Sequence, residues 1–155
     1  QQKGWRMNLS AINDSDLLSE YCRRFTIKAG ESIKTSKEAA AHFRAYFAEA
    51  AKREQFVVCF LNGAHKVVST ETLFVGSITT SAVYPREVVQ RILDLGAAAV
   101  LLAHNHPSGE LSPSNSDRSV TQKLQTALTA IDVEILDHII IGHDQHFSFS
   151  DHHLL

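Results

Sequence analysis

Two imidazoles one residue apart, His104 and His106 in the run His104-Asn105-His106-Pro107, are the side chains of this sequence best placed to do chemistry. They follow an apolar, strand-like stretch, and in extended backbone side chains two positions apart point to the same side. Pro107 keeps His106 out of the helical region and so helps hold the pair extended. Ser114 and Asp117 come next, and Asp117 falls one turn into an expected helix, from where its carboxylate can swing back toward both rings. Two histidines and an aspartate are a three-ligand set. Around zinc such a set leaves one position open for water, the arrangement of a catalytic site rather than a closed structural one. The pattern therefore implies metal-dependent hydrolysis. Each part also has a plainer reading. With nine histidines in the chain a His-x-His pair can arise by chance. A serine at 112 or 114, with Pro113 and Asp117 around it, is also what a helix N-terminus favours. The plain readings lose force because all the groups gather on one loop at the end of a buried strand.

The elements that must position these groups are legible in outline. Thr35 and Glu38 form a capping-box pair that opens a helix over 36–52, with Ala40, Phe43, Phe47 and Ala50 on one face. Residues 55–61 read as a buried strand, Asn62-Gly63 as a turn, 66–74 as a partner strand, and 76–81 as a further strand or loop. Pro85 opens a helix with Val88, Val89, Ile92, Leu93 and Leu95 on its apolar side, and Gly96 closes it. The run 97–103 is apolar almost throughout, the pattern of a central strand covered on both faces. Its C-terminal end carries the histidine loop, where open α/β sheets place their sites. A helix over 113–130, a strand over 133–141, a turn at 142–145 and a last strand over 146–150 complete one α/β domain with a mixed sheet. Residues 1–32 are polar and weakly periodic, a linker or fragment edge with little structure expected beyond a short helix at 14–25.

A length of 155 residues with 44% hydrophobic content suits a single domain with a real core. The net charge of -2 leaves no basic footprint for nucleic acid, and Arg23-Arg24 and Lys52-Arg53 read as solvated faces. Cys22 and Cys59 cannot make a disulfide framework, and Cys59 sits in an apolar run as a core residue. No apolar stretch is long enough to span a bilayer and no leader pattern is visible, so a cytoplasmic setting without membrane contact is expected.

The residues His104-Asn105-His106-Pro107-Ser108-Gly109, Pro113-Ser114 and Asp117 match the pattern His-x-His-Pro…Ser-x-x-Asp. On them the chain resembles the JAMM (JAB1/MPN) metalloproteases. The fuller His-Asn-His-Pro-Ser-Gly form is similar to the bacterial RadC branch. So are Tyr84-Pro85-Arg86-Glu87-Val88, Ala97-Ala98-Ala99-Val100, Asp137-His138-Ile139-Ile140-Ile141-Gly142 and Ser148-Phe149-Ser150. The resemblance covers roughly 36–155 and implies a RadC-like JAMM domain over 33–155. It implies a deaminase-like, three-layer α/β/α fold and one Zn2+ per chain on His104, His106 and Asp117. It also implies a glutamate at the entry to the strand after the first helix, the place held by Glu54. Glu71, in a strand-like run, and Glu87, an ordinary first-turn acid, remain rivals. Two departures stand out: Tyr84 replaces the histidine usual in the branch, and the glycine-rich helix-hairpin-helix module of full-length relatives is absent, with only Gly30 between Gly4 and Ser36.

The implied activity is that of a zinc metallopeptidase or isopeptidase-like amidohydrolase. Glu54 would act as general base, and Ser114 would hydrogen-bond the water or the oxyanion. Asn105 would brace the loop from the opposite side, and Gly109 would supply backbone freedom in the turn. A DNA-repair accessory role, a scaffold without turnover and a nucleoside deaminase are the alternatives. The first lacks a basic stripe, and the last lacks the Pro-Cys-x-x-Cys ligand pair. The substrate (peptide, protein or other amide) is left open, and an exposed strand edge leaves homo-oligomers open. His138 reads as a satisfied core histidine, His143 and His146 as residues flanking a turn, His152 and His153 as surface residues, and His42 and His65 as isolated.

Overall fold

Residues 55–61 and 99–105 are almost continuously apolar, and both become inner strands of a five-stranded sheet. The computed structural model describes residues 8–49, 52–78 and 83–155. Along the chain run α1 (Asp14–Phe25), α2 (Ser36–Tyr46), β1 (Gln55–Leu61), β2 (Val67–Val75), α3 (Pro85–Leu95), β3 (Ala99–Asn105), α4 (Asn115–Thr129), β4 (Glu134–Ile141) and β5 (His146–Ser148). The strand order is β2-β1-β3-β4-β5, with β3 and β4 parallel and the other neighbouring pairs antiparallel.

Alternation along the strands builds two cores. Phe56, Val58, Phe60, Val100 and Leu102 meet Val88 and Ile92 of α3 and Val120, Leu124 and Leu128 of α4. Val57, Cys59, Leu61, Ala99, Leu101 and Ala103 point the other way, onto Ala39, Ala40, Phe43 and Phe47. Burying each large apolar side chain contributes about 1.5–3 kcal/mol, so a sheet covered on both faces is the stable solution. The result is a three-layer α/β/α domain with a mixed sheet, as expected. No helix among the described residues is long and apolar enough to cross a membrane.

Several elements differ from their sequence outlines. The helix expected over 36–52 stops at Tyr46, where its last turn tightens to an Ala48 N–H to Ala45 C=O bond; Ala50 lies outside the described residues. Leu93 is 65% exposed, because the 100° step per residue carries it past the face that buries Val88 and Ile92. No strand forms at Gly76–Ile78, and 79–82 lie outside the described residues. The short helix expected at 14–25 forms with those bounds as α1, where Asn13 caps it by accepting the Asp16 N–H at 2.8 Å, with acids in its first turn and arginines in its last. Residues 1–7 are outside the described set. Gly96 closes α3 as expected, at a positive φ of 65° that a glycine adopts without strain.

His42 proves to be no isolated residue. Its Nδ1 accepts the Ile27 N–H at 2.8 Å, which leaves the Nε2 proton for Thr70 Oγ1 at 3.0 Å, so one ring joins the end of the α1 segment, α2 and β2. Burial, aided by the charge of Lys28, pushes its pKa down from 6.5 to about 4. A depressed histidine pKa gives stability that is fully present above the unfolded value and lost as pH falls through the folded one. Chemical denaturation should therefore show a loss of up to ~3 kcal/mol attributable to His42 between pH 6.5 and 4. His42→Gln should flatten that part of the profile; an identical slope in the variant would clear His42 of the effect.

Candidate metal centre

Strand alternation sets the site. Leu102 and His104 face the α3/α4 side, and the His106 N–H donates to the Ile141 C=O at 2.9 Å, which carries the line of β3 one residue further. His104 and His106 therefore share a face. In the antiparallel pairing of β1 and β3, Phe56 lies opposite His104. Continuing that register by two residues brings Glu54 opposite His106.

Asp117 is delivered by the start of α4. The Ser114 Oγ accepts the Asp117 N–H at 3.0 Å, and Asp117 Oδ2 accepts the Ser114 N–H at 2.8 Å, a reciprocal capping box. The cap is thus Ser114 rather than Ser112, and Pro113 precedes it. Capping and ligation are compatible for Asp117, since the same carboxylate reaches His104 Nε2 at 3.2 Å through Oδ1 and His106 Nε2 at 3.4 Å through Oδ2.

One donor atom from each of Glu54, His104, His106 and Asp117 lies within 4.8 Å of the others. His104 and Asp117 are buried, whereas Glu54 and His106 are half-buried. The rival glutamates are elsewhere. Glu71 is held in a two-pronged bond by Arg91, at 2.8 and 2.7 Å, and Glu87 sits in the first turn of α3. Ser114 is exposed and adjoins the cluster through Asp117. Asn105 points away from the cluster as expected, but it braces a different segment from the one foreseen. Its Oδ1 accepts the Gln55 N–H at 2.8 Å and its Nδ2 donates to the Arg53 C=O at 2.9 Å, bracketing Glu54 on both sides. The Gly76 N–H, donating to the Glu54 C=O at 2.8 Å, adds a third hold.

Sequence reasoning missed two supporting residues, His138 of β4 and Thr121 of α4. Thr121 Oγ1 lies 2.7 Å from the Asp117 C=O and 2.6 Å from His138 Nδ1, and His138 Nε2 lies 2.8 Å from His104 Nδ1. A carbonyl can only accept, so the single hydroxyl proton of Thr121 goes to Asp117 and its oxygen must accept from His138 Nδ1–H. His138 Nε2 is then bare and accepts the Nδ1–H of His104. That leaves the His104 Nε2 lone pair facing the cluster. His106 reaches the same state independently, because its Nδ1 donates to the Glu110 C=O. The lone polar ring in the apolar run of β4 was a visible signal, as was Thr121 one turn beyond Asp117. Their meeting was not visible, since it depends on the β3–β4 register that sets His138 opposite Leu102.

Burial fixes the relay ring, whereas the charge of Asp117 favours a cation, a proton or a metal, at the Nε2 atoms. Burial drives the His138 pKa well below its usual value, keeping the ring neutral. Burial raises the pKa of Asp117, but the two imidazoles, in any form that carries a proton on Nε2, together with the Ser114 N–H outweigh it and hold the carboxyl well below the ordinary range. His106 is raised, chiefly by its bond to Asp117. Two Nε2 atoms 2.8 Å apart beside a buried carboxylate form a concentration of lone pairs that calls for a cation. Two imidazole nitrogens, a carboxylate and the nearby Glu54 are donors that fit a divalent metal.

Fold and site together define a JAB/MPN-type α/β domain. Residues 33–154 match the family described as the RadC-like JAB domain, and the chain belongs to that family. It is 46% identical to the UPF0758 protein YfjY of Escherichia coli (strain K12) over 121 residues, covering 78% of this chain and 76% of that protein. The UPF0758 protein YeeS of the same strain is also 46% identical over 121 residues, covering 78% and 82% respectively. The UPF0758 protein PBPRA0202 of Photobacterium profundum is 43% identical over 126 residues, 81% of this chain but 56% of its own length. The chain thus spans little more than half of that longer relative. None of these names states a reaction.

Partners of metal-ligating histidines commonly matter for affinity by 10–100-fold. His138→Leu, which keeps the bulk but cannot accept a proton bond, should weaken metal binding by about that factor in a chelator competition titration, with Thr121→Val showing a smaller loss. Equal affinity in parent and His138→Leu would show that the relay does not order His104.

Proposed function

We propose that this chain is a zinc-dependent hydrolase that cleaves an amide bond with a positioned water, a metallopeptidase or isopeptidase-like enzyme. The observation that carries the reading is the convergence of two bare Nε2 atoms and the Asp117 carboxylate on one point, with Glu54 beside them. Three protein donors of imidazole and carboxylate type favour zinc with one position open. Bound there, zinc would supply Lewis acidity and bring the pKa of a water toward ~7. Glu54 takes the proton from the attacking water and delivers it to the leaving amine. Asn105 and Gly76 hold Glu54 at the strand entry for that task. Ser114 accepts from the Asp117 N–H, which leaves its own hydroxyl proton to donate to the water or the developing oxyanion, a contribution of roughly 2–4 kcal/mol. The substrate class is a peptide, protein or other amide. The free thiols of Cys22 and Cys59 suit a reducing compartment such as the cytoplasm.

Metal content by plasma mass spectrometry tests the proposal first. About one zinc per chain is expected in the parent and none in His104→Ala/His106→Ala or Asp117→Ala. Glu54→Gln should keep its zinc and lose turnover on a peptide and isopeptide panel by about 10²–10⁴-fold. A parent that takes up no metal even after zinc is added back would overturn the hydrolase reading.

A further inference from the structure

Half of the exposed large apolar side chains among the described residues, Leu9, Leu17, Leu18 and Phe25, lie on α1 and on the 3-10 turn Leu9–Ala11 before it. No residue of α1 is buried. Apolar side chains scattered singly over a surface are ordinary, whereas a cluster of this kind marks an interaction surface. Leu17, Tyr21 and Phe25 recur every four residues and so form one row along the helix, with the Tyr21 and Phe25 rings 5.0 Å apart. Leu9 and Ile12 flank that row across a hollow of about 200 Å³. The side of α1 turned to the domain is a different one, where Leu18 shares a groove with Phe47, and Cys22 another with Tyr46 and Thr70. Leu17 and Phe25 are therefore left 47% and 58% exposed. Asp16, Glu20 and Arg24 form the adjoining row and line the same hollow. Glu20 is held by Arg23 and Arg24 of its own helix. The charged row thus runs from a negative end at Asp16, through a neutralised middle, to a positive end at Arg24.

We propose that this face is an interface between two copies of the chain, their α1 helices packed antiparallel about a two-fold axis beside Glu20 and Tyr21. The order of the charges selects that occupant. Across a two-fold axis the same patch meets itself, each contact occurring twice. In the antiparallel pair Leu17 of one copy meets Phe25 of the other, Tyr21 meets its counterpart, and Asp16 of one copy meets Arg24 of the other. A parallel pair would set Asp16 against Asp16 and Arg24 against Arg24. The sign order also suits the dipole of α1 by itself, but the dipole leaves the adjoining apolar row unexplained. Two faces of this size bury on the order of 1,000 Å² in total, the lower end for a specific contact, so the dimer forms in the micromolar range. The helix precedes residue 33, where the family match begins, so the contact lies outside the matched domain and does not depend on the hydrolase reading.

Sedimentation equilibrium of the whole chain, from about 1 µM to about 500 µM, tests the proposal over a range that brackets the affinity of so small a contact. A monomer–dimer equilibrium is expected. Leu17→Ser/Phe25→Ser should leave a monomer that is folded, as judged by an unchanged circular dichroism spectrum. Asp16→Arg and Arg24→Asp each bring like charges together twice across the axis, and each should weaken the dimer by about tenfold. The double reversal Asp16→Arg/Arg24→Asp should restore it to within about threefold of the parent. A parent that stays monomeric throughout the range would overturn the proposal, as would a dimer that survives Leu17→Ser/Phe25→Ser. So would a double reversal weaker than either single one, which is what the helix dipole alone would produce. A monomer that sediments instead with phosphatidylcholine vesicles would assign the face to a lipid surface and overturn it too. Should Leu17→Ser/Phe25→Ser fail to fold, the three charge variants, all at exposed positions, still decide.

Discussion

The proton on His104 Nδ1 has one acceptor, the bare nitrogen of His138, and the rest of the site is arranged around that contact. It joins β3 to β4, and through Thr121 it reaches the backbone of Asp117 at the start of α4. Three elements that meet mainly through apolar packing are thereby tied by one polar relay in a dry interior. In such a setting a misdirected proton would leave an unpaired donor or acceptor at a cost of about 1–3 kcal/mol. The relay therefore selects a tautomer as well as a position. A histidine whose Nδ1 is committed inward can present only Nε2 outward, and the Glu110 carbonyl imposes the same choice on His106.

Asp117 shows how a single side chain meets two demands. As the N3 residue of a capping box it satisfies a free N–H at the start of α4 and places its charge where the helix dipole favours it. Its carboxylate also lies against both imidazole Nε2 atoms, where a cation shared among them would offset the cost of burying it. The helix start and the metal-type donor set are one structure rather than two overlapping ones. Glu54 is placed by a different route. It follows no helix cap; the amide of Asn105 clamps the residues on either side of it, so the strand that carries the imidazoles also fixes the glutamate.

The surroundings of this cluster divide by chemistry. The α3/α4 side is apolar up to the rings, with His138 stacked on Phe149. On the α1/α2 side a groove is lined by Leu18, Arg44, Phe47 and Asn105, the last pointing away from the cluster.

Much of this was legible in local sequence. The two-residue spacing of His104 and His106, the Ser114–Asp117 cap, the Pro85 start and Gly96 end of α3, and the apolar runs of β1 and β3 are set by short-range periodicity and backbone preference, which act within a turn or a strand. The family likeness added Glu54 and the three-layer fold. What the sequence did not disclose lies between distant segments. Asn105 reaches the strand entry 50 residues earlier, His138 meets His104 34 residues away, and Thr121 links His138 to Asp117. Those contacts follow from strand order and register, which are chosen by how two apolar faces pack together and not by any local pattern. Chain-local forces thus determined which donors exist and which way each can point. Only the tertiary structure decided which proton each carries, because that depends on neighbours that the fold alone brings near.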